Sequence, residues 1–416
     1  MGLRAVLVLF GLLKKILLSV ATILYVANYL DSITSLELTG SNLIVKAITP
    51  GCGEVSSWLT LDPAANRLFC MDENSPNGTI SSFETRDDGS LLRLNIVTTQ
   101  PGTVASTLFG QGNGLAVAYY SGASVATFDV SPKKDLLNPH AHGDLTTLQP
   151  VQAETYHLAQ PGANALRQEQ PHPHHAIIDP SGQYLLVPDL GADLVRIYLL
   201  NDDGRLRFTA LAPLVVPAGS GPRHGEFLVT PAGETYFYLT SEIANTITGF
   251  KVTYTSGSTV EFTEVYRSGS HGLGVEFERG RLAPDEDVFP TLAGELHVSP
   301  DGNFLLVSSR NEGLFSIANP TGHSSSAPIP SDPIMTFRID TSNGNLTKLQ
   351  DFAAGGMVPR QFSISNDGSM VAVGLQQDGR VVVLDRDVQS GLLLGVRAAV
   401  DVLHQPTCVL FREESM

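Results

Sequence analysis

The stretch that decides the fold reads His175-Ala-Ile-Ile-Asp-Pro-Ser-Gly182 and continues, after one residue, as Tyr184-Leu-Leu-Val187. Two short apolar runs joined by a Pro-x-Gly turn are typical of an antiparallel hairpin. The same unit recurs at 227–239, 296–307 and 362–373, with a Pro-x-Gly or Asp-Gly turn each time. We therefore expect the chain to be assembled from copies of one hairpin-containing unit.

The spacing of the turn glycines sets the size of this unit. Gly182, Gly233, Gly302 and Gly368 are separated by 51, 69 and 66 residues, which fits one four-stranded sheet with inserted loops in each unit. Less regular copies at 24–29, 58–70 and 112–128 bring the count to seven. The sequence therefore predicts an all-β, seven-bladed β-propeller in a single domain that spans 22–416.

The end of the repeat and its insertions carry two further predictions. The segment Pro406-Thr-Cys-Val-Leu-Phe411 reads as one strand without a following blade, so we expect it to pair with N-terminal strands and close the ring. Two segments, 131–170 and 252–293, are rich in Pro, Gly, His and acidic residues and are longer than simple connections. We expect both segments to be loops over one face, where they form a lid.

Composition and charge agree with this fold and narrow the range of partners. The chain is 42% hydrophobic and 16% charged, and its 39 Gly and 25 Pro suit many short strands joined by tight turns. Its net charge of −16 disfavours binding to nucleic acid or to anionic membrane surfaces. We therefore expect no nucleic-acid partner, and the sequence leaves the oligomeric state open.

The N-terminal residues 1–21 are expected to be a signal peptide. A long apolar stretch follows Arg4 and ends at Ser19-Val-Ala21, a small-x-small pattern like those that precede cleavage. Lys14 and Lys15 interrupt the apolar run, so no stable membrane span is expected. The prediction is a secreted or cell-surface protein, with a cytoplasmic location as the alternative if the start is assigned wrongly.

Cysteines and glycosylation triplets also bear on export. Cys52, Cys70 and Cys408 are too few for a disulfide framework and include no CxxC pair for zinc. Cys52 and Cys70 either pair in an exported chain or remain buried thiols, and the sequence leaves both possibilities open. The triplets that begin at Asn77 and Asn345 are compatible with glycosylation in a eukaryotic export route.

Polar residues recur at one end of the predicted hairpins. In an antiparallel pair, the residue before the first strand and the residue after the second lie at the same end of the sheet. The first set contains His174, Arg223, Glu295 and Arg360, and the second contains Glu73, Asp189, Glu242, Arg310 and Gln376. Members of the second set lie nine to eleven residues beyond the turn proline or its equivalent. Because innermost strands of a propeller converge, we expect one polar site, although a wet channel whose charges satisfy one another stays an alternative.

Such a set of residues suits acid–base chemistry on a small molecule that carries a carboxylate or a carbonyl group. Arginine offers bidentate donors to a carboxylate or a developing enolate, while histidine and glutamate exchange protons near neutral pH. Two reactions fit: addition of a substrate carboxylate to a conjugated double bond, which forms a lactone, and hydrolysis of a lactone by activated water. The expected partner is therefore a small-molecule carboxylate or lactone.

Other chemistries find less support in the sequence. The run His172-Pro-His-His175 suggests a metal site, but the histidines of a strand-like segment face different ways and no partner pair has ligand spacing. The chain has no Gly-x-Ser-x-Gly elbow, and Gly110-Gln-Gly-Asn-Gly114 lies between strands rather than before a helix. We therefore predict no metal and no cofactor.

Four motifs resemble those of the seven-bladed lactonase family, namely His174–Gly182, Asp189-Leu-Gly-Ala-Asp193, Gly221-Pro-Arg-His224 and Ser241-Glu-Ile-Ala-Asn245. This family includes the fungal carboxy-cis,cis-muconate cyclases and the propeller-type 6-phosphogluconolactonases, and the resemblance runs through 24–411. It implies four catalytic residues, His174, Arg223, Glu242 and Arg310. The remaining site residues are predicted to bind substrate, and they are His175, Asp189, Glu295, Arg360, Gln376 and Glu73.

The leading hypothesis is a carboxymuconate-cyclase-like or lactonase-like enzyme. Arg223 and Arg310 would hold the negative groups of the substrate, and His174 would handle the proton with Glu242, with His175 as the alternative histidine. Arg223 lies eight residues before its turn proline, about two more than expected, which leaves its side-chain direction open. The competing hypothesis is a secreted, non-catalytic cell-wall or surface glycoprotein.

Overall fold

The four hairpin turns marked in the sequence all require glycine. Gly182, Gly233, Gly302 and Gly368 adopt φ values of 71°, 83°, 70° and 72°, in the left-handed region that residues with a Cβ rarely enter. Each of these turns joins the innermost strand of a sheet to the second strand. The repeated turn is therefore the start of a repeated sheet.

The computed structural model describes residues 21–133, 145–146, 148–201, 203–255, 259–274, 291–322 and 327–413. Seven antiparallel sheets in this part of the chain are the blades of a propeller, which confirms the predicted fold class. Besides strands, the described residues contain one short 3₁₀ turn, Pro63–Ala65. The predicted signal peptide falls mainly on residues 1–20, outside the described ones, and no helix of the described part is long and apolar enough to cross a membrane.

The strands of the first three blades, in chain order, are β1 (Thr22–Asn28), β2 (Ser32–Thr39), β3 (Asn42–Pro50), β4 (Ser56–Asp62), β5 (Arg67–Asp72), β6 (Gly78–Thr85), β7 (Leu91–Thr99), β8 (Thr103–Phe109), β9 (Gly114–Tyr119), β10 (Ser124–Asp129), β11 (Pro132–Lys133), β12 (Leu145–Thr146) and β13 (Gln149–Thr155). Blade 1 contains β1–β3, blade 2 contains β4–β7, and blade 3 contains β8–β10 with β13. The pair β11 and β12 forms a separate two-stranded sheet.

The strands of blades 4 and 5 are β14 (Ile177–Ile178), β15 (Tyr184–Asp189), β16 (Leu194–Leu200), β17 (Phe208–Ala210), β18 (Leu214–Val215), β19 (Pro222–Val229), β20 (Thr235–Ser241), β21 (Thr246–Thr255) and β22 (Thr259–Gly269). Those that follow are β23 (Leu292–Val298), β24 (Phe304–Arg310), β25 (Phe315–Ile317), β26 (Ile329–Ser331), β27 (Pro333–Ile339), β28 (Leu346–Ala353), β29 (Pro359–Ile364), β30 (Met370–Leu375), β31 (Arg380–Arg386), β32 (Leu393–Asp401) and β33 (Pro406–Arg412). Blade 4 contains β14–β18, blade 5 contains β19–β22, blade 6 contains β23, β24, β27 and β28, and blade 7 contains β29–β32.

The second strand of a blade is buried on both of its faces. Every residue of β5, β9, β15, β20 and β24 is buried, because blades pack face to face on either side of it. This explains why the sequence shows continuous apolar runs such as Leu185-Leu-Val187 instead of alternation.

The ring closes through its two chain ends. Strand β33 pairs antiparallel with β1, and the order β33, β1, β2, β3 makes the C-terminal strand the innermost strand of blade 1. Closure of this kind covers the edge of a sheet that would otherwise remain exposed. The predicted pairing of Pro406–Phe411 with N-terminal strands is confirmed.

The two predicted insertions contain more strand than the sequence suggested. Residues 252–269 largely belong to β21 and β22, and 149–155 form β13, so these parts are outer strands rather than loops. The prediction failed there because outer strands are solvated on one side and rich in Thr and Glu, a composition that resembles a loop. Residues 275–290 and 134–144 of these segments lie outside the described ones.

The disulfide question left open by the sequence is answered by the structure. Cys52 and Cys70 are joined, with Cα atoms 5.6 Å apart, and they connect the segment after β3 to strand β5. The bond therefore links blade 1 to blade 2 near the closure of the ring. Cys408 in β33 is a buried free thiol.

Candidate active site

The innermost strands begin with a shared β-bulge. In β4, β8, β19, β29 and β33 the pairing register shifts after the first residue, so one extra residue has no partner in the next strand. A bulge re-aims the side chain of the extra residue. These residues are Ser57, Val104, Arg223, Arg360 and Thr407, and all five line one small cavity, of about 10 Å³, where the blades converge. Trp58, His174, His224 and Gln361 complete its wall.

The direction of the Arg223 side chain, which the sequence left open, follows from the length of the hairpin formed by β19 and β20. Strands β19 and β20 contain eight and seven residues, whereas the corresponding strands β29 and β30 contain six each. Arg223 and Glu242 are therefore displaced together from the turn, and the amide of Glu242 bonds to the carbonyl of Gly221 at 2.7 Å. The longer hairpin keeps the two side chains side by side.

Three guanidinium groups surround the Glu242 carboxylate. Its Oε2 lies 2.8 Å from Nε of Arg223 and 2.8 Å from Nη2 of Arg310, and its Oε1 accepts a hydrogen bond from Nη2 of Arg167. Only 3% of Glu242 and 2% of Arg223 is exposed. Burial opposes ionisation, but Arg310, Arg223 and Arg167 hold the pKa of Glu242 well below its usual range.

The arginines of this cluster retain unused donors. Nη1 of Arg223 and Nε of Arg310 are buried and have no hydrogen-bond partner among the described residues, although Nη2 of Arg310 also reaches the carbonyl of Ala293 at 3.0 Å. Burial and the neighbouring Arg310 lower the pKa of Arg223 to about 10. The cluster therefore carries excess positive charge with free N–H groups, a setting suited to an anionic group.

A second charged group at the cavity is built around Arg360. Arg360 donates from Nη1 to the Tyr29 hydroxyl at 2.7 Å and lies 3.3 Å from Oε1 of Glu73, and the Tyr29 hydroxyl also bonds to Glu73. Burial raises the pKa of Tyr29 to about 12, so its hydroxyl stays protonated at neutral pH. The predicted residues Arg360 and Glu73 are thus brought together, and Tyr29 joins them.

Three histidines and the single tryptophan form an aromatic group beside the arginines. The rings of His175 and His224 stack at 4.3 Å, and Trp58 meets both of them edge-on. Nδ1 of His174 lies 3.2 Å from Nε2 of His224. Burial lowers the pKa of all three histidines well below the ordinary value, and Arg223 adds to the effect, so they are neutral at pH 7.

Two residues predicted to bind substrate have other surroundings. The Asp189 carboxylate accepts hydrogen bonds from the amides of His172 and Ala192 and from Nε of Arg196, which fixes the loops around β15. Substrate binding by Asp189 stays a prediction, and the structure shows that its oxygens already accept hydrogen bonds from the backbone. Gln376 is half-buried after β30, and its side chain makes no hydrogen bond to the described part of the site.

His172 likewise has structural partners. Its Nε2 lies 3.0 Å from Glu169 and its Nδ1 lies 3.0 Å from the carbonyl of Tyr120. Within the described ranges, no group of three or more His, Cys, Asp or Glu side chains is placed to hold a metal ion.

The residues that sequence reasoning missed occupy recognisable positions. Tyr29 and Tyr120 directly follow the second strands β1 and β9, the position that Glu73 and Glu242 occupy in their blades. Another signal is a proline before the cavity residue: Pro173, Pro222, Pro359 and Pro406 directly precede His174, Arg223, Arg360 and Thr407, which all line the cavity. Arg167 gave no such signal, because it comes from the insertion after β13 and reaches the site through the tertiary fold.

Comparisons with known proteins agree on one family. The model of the lactonase family, described as a seven-bladed β-propeller, matches residues 23–411. A probable 6-phosphogluconolactonase of Arthroderma benhamiae is 28% identical over 373 residues, which cover 90% of this chain and 82% of the relative. The 6-phosphogluconolactonase of Bacillus subtilis is 24% identical over 346 residues, 83% of each chain.

Among solved structures, the periplasmic gluconolactonase of Pseudomonas aeruginosa superposes with a TM-score of 0.74. Its sequence is 27% identical, and the match covers 95% of this chain and 100% of that one. The match of the family model to nearly the whole described propeller is the decisive finding. This chain belongs to the lactonase family of seven-bladed β-propellers.

Proposed function

We propose that this protein hydrolyses a small lactone that carries an anionic group, in the cavity where the blades converge. The observation that carries the proposal is the Glu242 carboxylate between three guanidinium groups, beside a buried neutral His174. A hydrolase of this kind needs donors for an oxyanion and a base for water, and both are present within one set of side chains.

The free guanidinium donors supply the electrostatic part of the reaction. Nη1 of Arg223 and Nε of Arg310 are buried without partners among the described residues, and an unpaired buried donor costs about 1–3 kcal/mol. A substrate oxygen that becomes negative as water attacks satisfies these donors, and more strongly in the transition state than before it. Arg360, which also lines the cavity, offers charge to a second anionic group.

His174 supplies the base. A neutral imidazole takes a proton from water while the water oxygen adds to the lactone carbonyl carbon, and the resulting imidazolium returns that proton to the ring oxygen as the ring C–O bond breaks. The product is a hydroxy acid, and no other reactant is consumed. Glu242 is a poor proton carrier because the arginines depress its pKa, so we assign it the role of orienting Arg223 and Arg310.

For the substrate class we propose an aldonolactone, the class after which the relatives are named. The relatives described above are named for gluconolactone or its 6-phosphate, and the arginines suit a carboxylate-forming or phosphate-bearing sugar. Cyclisation of a carboxymuconate is the second candidate, since it would use the same four residues, His174, Arg223, Glu242 and Arg310. One panel of substrates tests both.

The experiment measures turnover of glucono-δ-lactone, its 6-phosphate and 3-carboxymuconate above the uncatalysed rate. We expect lactone hydrolysis to fall about 10²–10³-fold in Arg310→Ala, which removes a donor to the oxyanion, and about 10²–10⁴-fold in His174→Ala. Arg380→Ala is the matched control, because Arg380 is similarly buried but pairs with Asp401 between the outer strands β31 and β32. Turnover that survives in both site variants would rule out this mechanism.

The non-catalytic alternative is tested with the same protein. Trp58 is the single tryptophan of the chain and lines the cavity, so its fluorescence reports occupancy without any reaction. Fluorescence titration with gluconate and 6-phosphogluconate should give saturable binding that Arg310→Ala weakens. Binding without turnover of any lactone in the panel would favour a ligand-binding propeller over an enzyme.

We also propose that the protein is exported. The Cys52–Cys70 bond supports this, because disulfides persist mainly in oxidising compartments. Asn77 and Asn345, the glycosylation candidates, are both exposed and therefore accessible to modification. N-terminal analysis of the natural protein should find residues 1–21 removed, and an intact Met1 on a cytosolic protein with two free thiols at Cys52 and Cys70 would reject export.

A further inference from the structure

Three side chains from three consecutive blades stand in line beside the cavity. Glu295 belongs to β23, His224 to β19, and His174 precedes β14. Oε1 of Glu295 lies 2.7 Å from Nδ1 of His224, and Nε2 of His224 lies 3.2 Å from Nδ1 of His174. Their exposed fractions are 1%, 2% and 7%, so water does not replace these contacts.

The donor and acceptor roles along this line follow from Glu295. Its Oε1 also accepts a hydrogen bond from the amide of Leu296 at 3.0 Å, and a backbone N–H can only donate. With Oε1 as an acceptor, His224 donates from Nδ1 and keeps a lone pair on Nε2. His174 then donates from its own Nδ1, and its lone pair is left on Nε2.

We propose that Glu295 and His224 are positioning residues that hold His174 in the tautomer with a free lone pair on Nε2. This inference rests on the proposed function, in which His174 is the base that activates water. A hydrogen bond at one ring nitrogen fixes the tautomer of a histidine and leaves the other nitrogen available as a base. Glu295 thereby acts through two imidazoles and does not touch the substrate.

Packing fixes the ring at the centre of this line. His175 stacks on His224 at an interplanar angle of 12°, and Trp58 meets the same ring at 70°. Rotation of the His224 ring would break both contacts as well as both hydrogen bonds. His175 is a weaker candidate for the base, because its Nδ1 faces the amide of Gly225 at 3.5 Å.

Charge favours the neutral state that this role requires. Burial lowers the pKa of His174, and Arg223, His224, Arg360 and Arg310 lower it further. Tyr120 also meets the His174 ring edge-on at 5.6 Å, and burial raises the pKa of its hydroxyl. None of these is an anion, so nothing adjacent stabilises an imidazolium before the substrate arrives. His174 therefore enters the reaction as a base.

The test reads the tautomer directly and needs no turnover. Two-dimensional ¹H–¹⁵N spectra of ¹⁵N-histidine-labelled protein distinguish protonated from unprotonated ring nitrogens, and His174→Gln assigns the His174 signals. In the wild type we expect a proton on Nδ1 of His174 and none on Nε2. In Glu295→Met, which removes the acceptor, we expect His174 to populate both tautomers.

Two further variants separate this role from mere packing. Glu295→Gln keeps an oxygen that the Leu296 amide holds in place, so it should restore the wild-type tautomer. Glu226→Met is the matched control, since Glu226 holds His297 at 3.1 Å and accepts from the Val298 amide in the same manner. It should leave the His174 signals unchanged.

The possible outcomes distinguish failure of this inference from failure of the proposed function. A wild-type His174 protonated on Nε2, or the same single tautomer in Glu295→Met, overturns the inference. If wild type hydrolyses lactones, Glu295→Met should lower kcat about 10²-fold at nearly constant KM, and Glu295→Gln should recover most of it. If wild type turns over nothing, the proposed function fails, while the spectra still decide whether Glu295 sets the tautomer.

Discussion

At the scale of single residues, Glu242 sets the charge of the arginine cluster beside the cavity. One buried carboxylate faces three guanidinium groups. The carboxylate therefore stays ionised, whereas the positive charge of the three guanidinium groups is only partly neutralised. Groups in such a cluster depend on one another, because removing one partner leaves buried charge without compensation. The excess positive charge that attracts an anionic substrate also destabilises the folded protein when no substrate is bound.

Glu242→Gln should therefore destabilise the fold as well as the site. Loss of a buried charge beside three arginines is expected to lower the free energy of unfolding by about 3–5 kcal/mol, measured by urea denaturation. Glu234→Gln is the control, because Glu234 and its partner Lys251 are each 42% exposed and should give no measurable change. A variant at 242 with wild-type stability would contradict the account of this cluster.

The histidines predict how stability depends on pH. Burial depresses the pKa of His174, His175 and His224, so only the unfolded chain takes up their protons below about pH 6.5, and stability falls as the pH decreases from there. His297 acts in the opposite direction: despite burial, Glu226 raises its pKa to about 9, and that stabilisation is lost as the pH rises from 6.5 through 9. His271 contributes in the same direction, because Asp351 and Glu312 raise its pKa to about 9 despite burial. Urea denaturation at pH 5, 7 and 9 should show a maximum near neutrality, and Glu226→Gln should lessen the alkaline loss without changing the acid side.

At the scale of elements, the segment between β13 and β14 contributes to the site from outside the sheets. Arg167 lies in this segment, bonds to Glu242 and Tyr120, and keeps 32% of its side chain exposed. This is the part of the predicted lid that the structure supports. A loop residue of this kind can affect substrate binding without supporting the core.

Arg167→Ala should raise KM about 10-fold or more, because it removes a positive charge and the hydrogen bond that holds Glu242 in the anion site. The urea midpoint should change little, since the side chain is partly solvated. Arg267→Ala serves as control: Arg267 is 34% exposed and pairs with Glu264 on the outer strand β22. An unchanged KM with a lowered urea midpoint would show that Arg167 supports the fold instead of the site.

The closing strand β33 makes a second prediction at this scale. A chain ending at Gln405 lacks the innermost strand of blade 1, which exposes the edge of β1 and opens the ring. We expect loss of soluble monomer, measured by light scattering and size-exclusion chromatography. A chain ending at Glu413 is the control. A monomeric truncated protein with an unchanged melting temperature would show that closure is dispensable.

At the scale of the whole molecule, the disulfide connects the first blade to the second. Replacing Cys52 and Cys70 with Ala should lower the free energy of unfolding by about 3 kcal/mol, the value expected for a closed loop of roughly this length. Cys408→Ala, which removes the free buried thiol, is the control for loss of a sulfur atom. Equal stability of the double variant and the wild type, both under non-reducing conditions, would contradict a stabilising role.

The sequence predicted the ring and the shared face because both depend on repetition. Hairpin turns with an obligatory glycine recur, and every copy places its strand ends alike, so His174, Arg223 and Arg310 could be assigned to one site without knowing any contact. Two kinds of information were missing. The bulges depend on pairing register, which a single sequence does not display, and the role of Asp189 depends on which backbone amides the loops bring near.

The bulge at the start of five innermost strands has a consequence for how such proteins diversify. Side chains at this level are not fixed by the ladder of the sheet, so a substitution there alters the cavity without removing a backbone hydrogen bond. Five blades thus offer one position each whose side chain mutation can change without loss of a ladder hydrogen bond. Members of the family can share this ring and differ in substrate through such positions, which in this chain are Ser57, Val104, Arg223, Arg360 and Thr407.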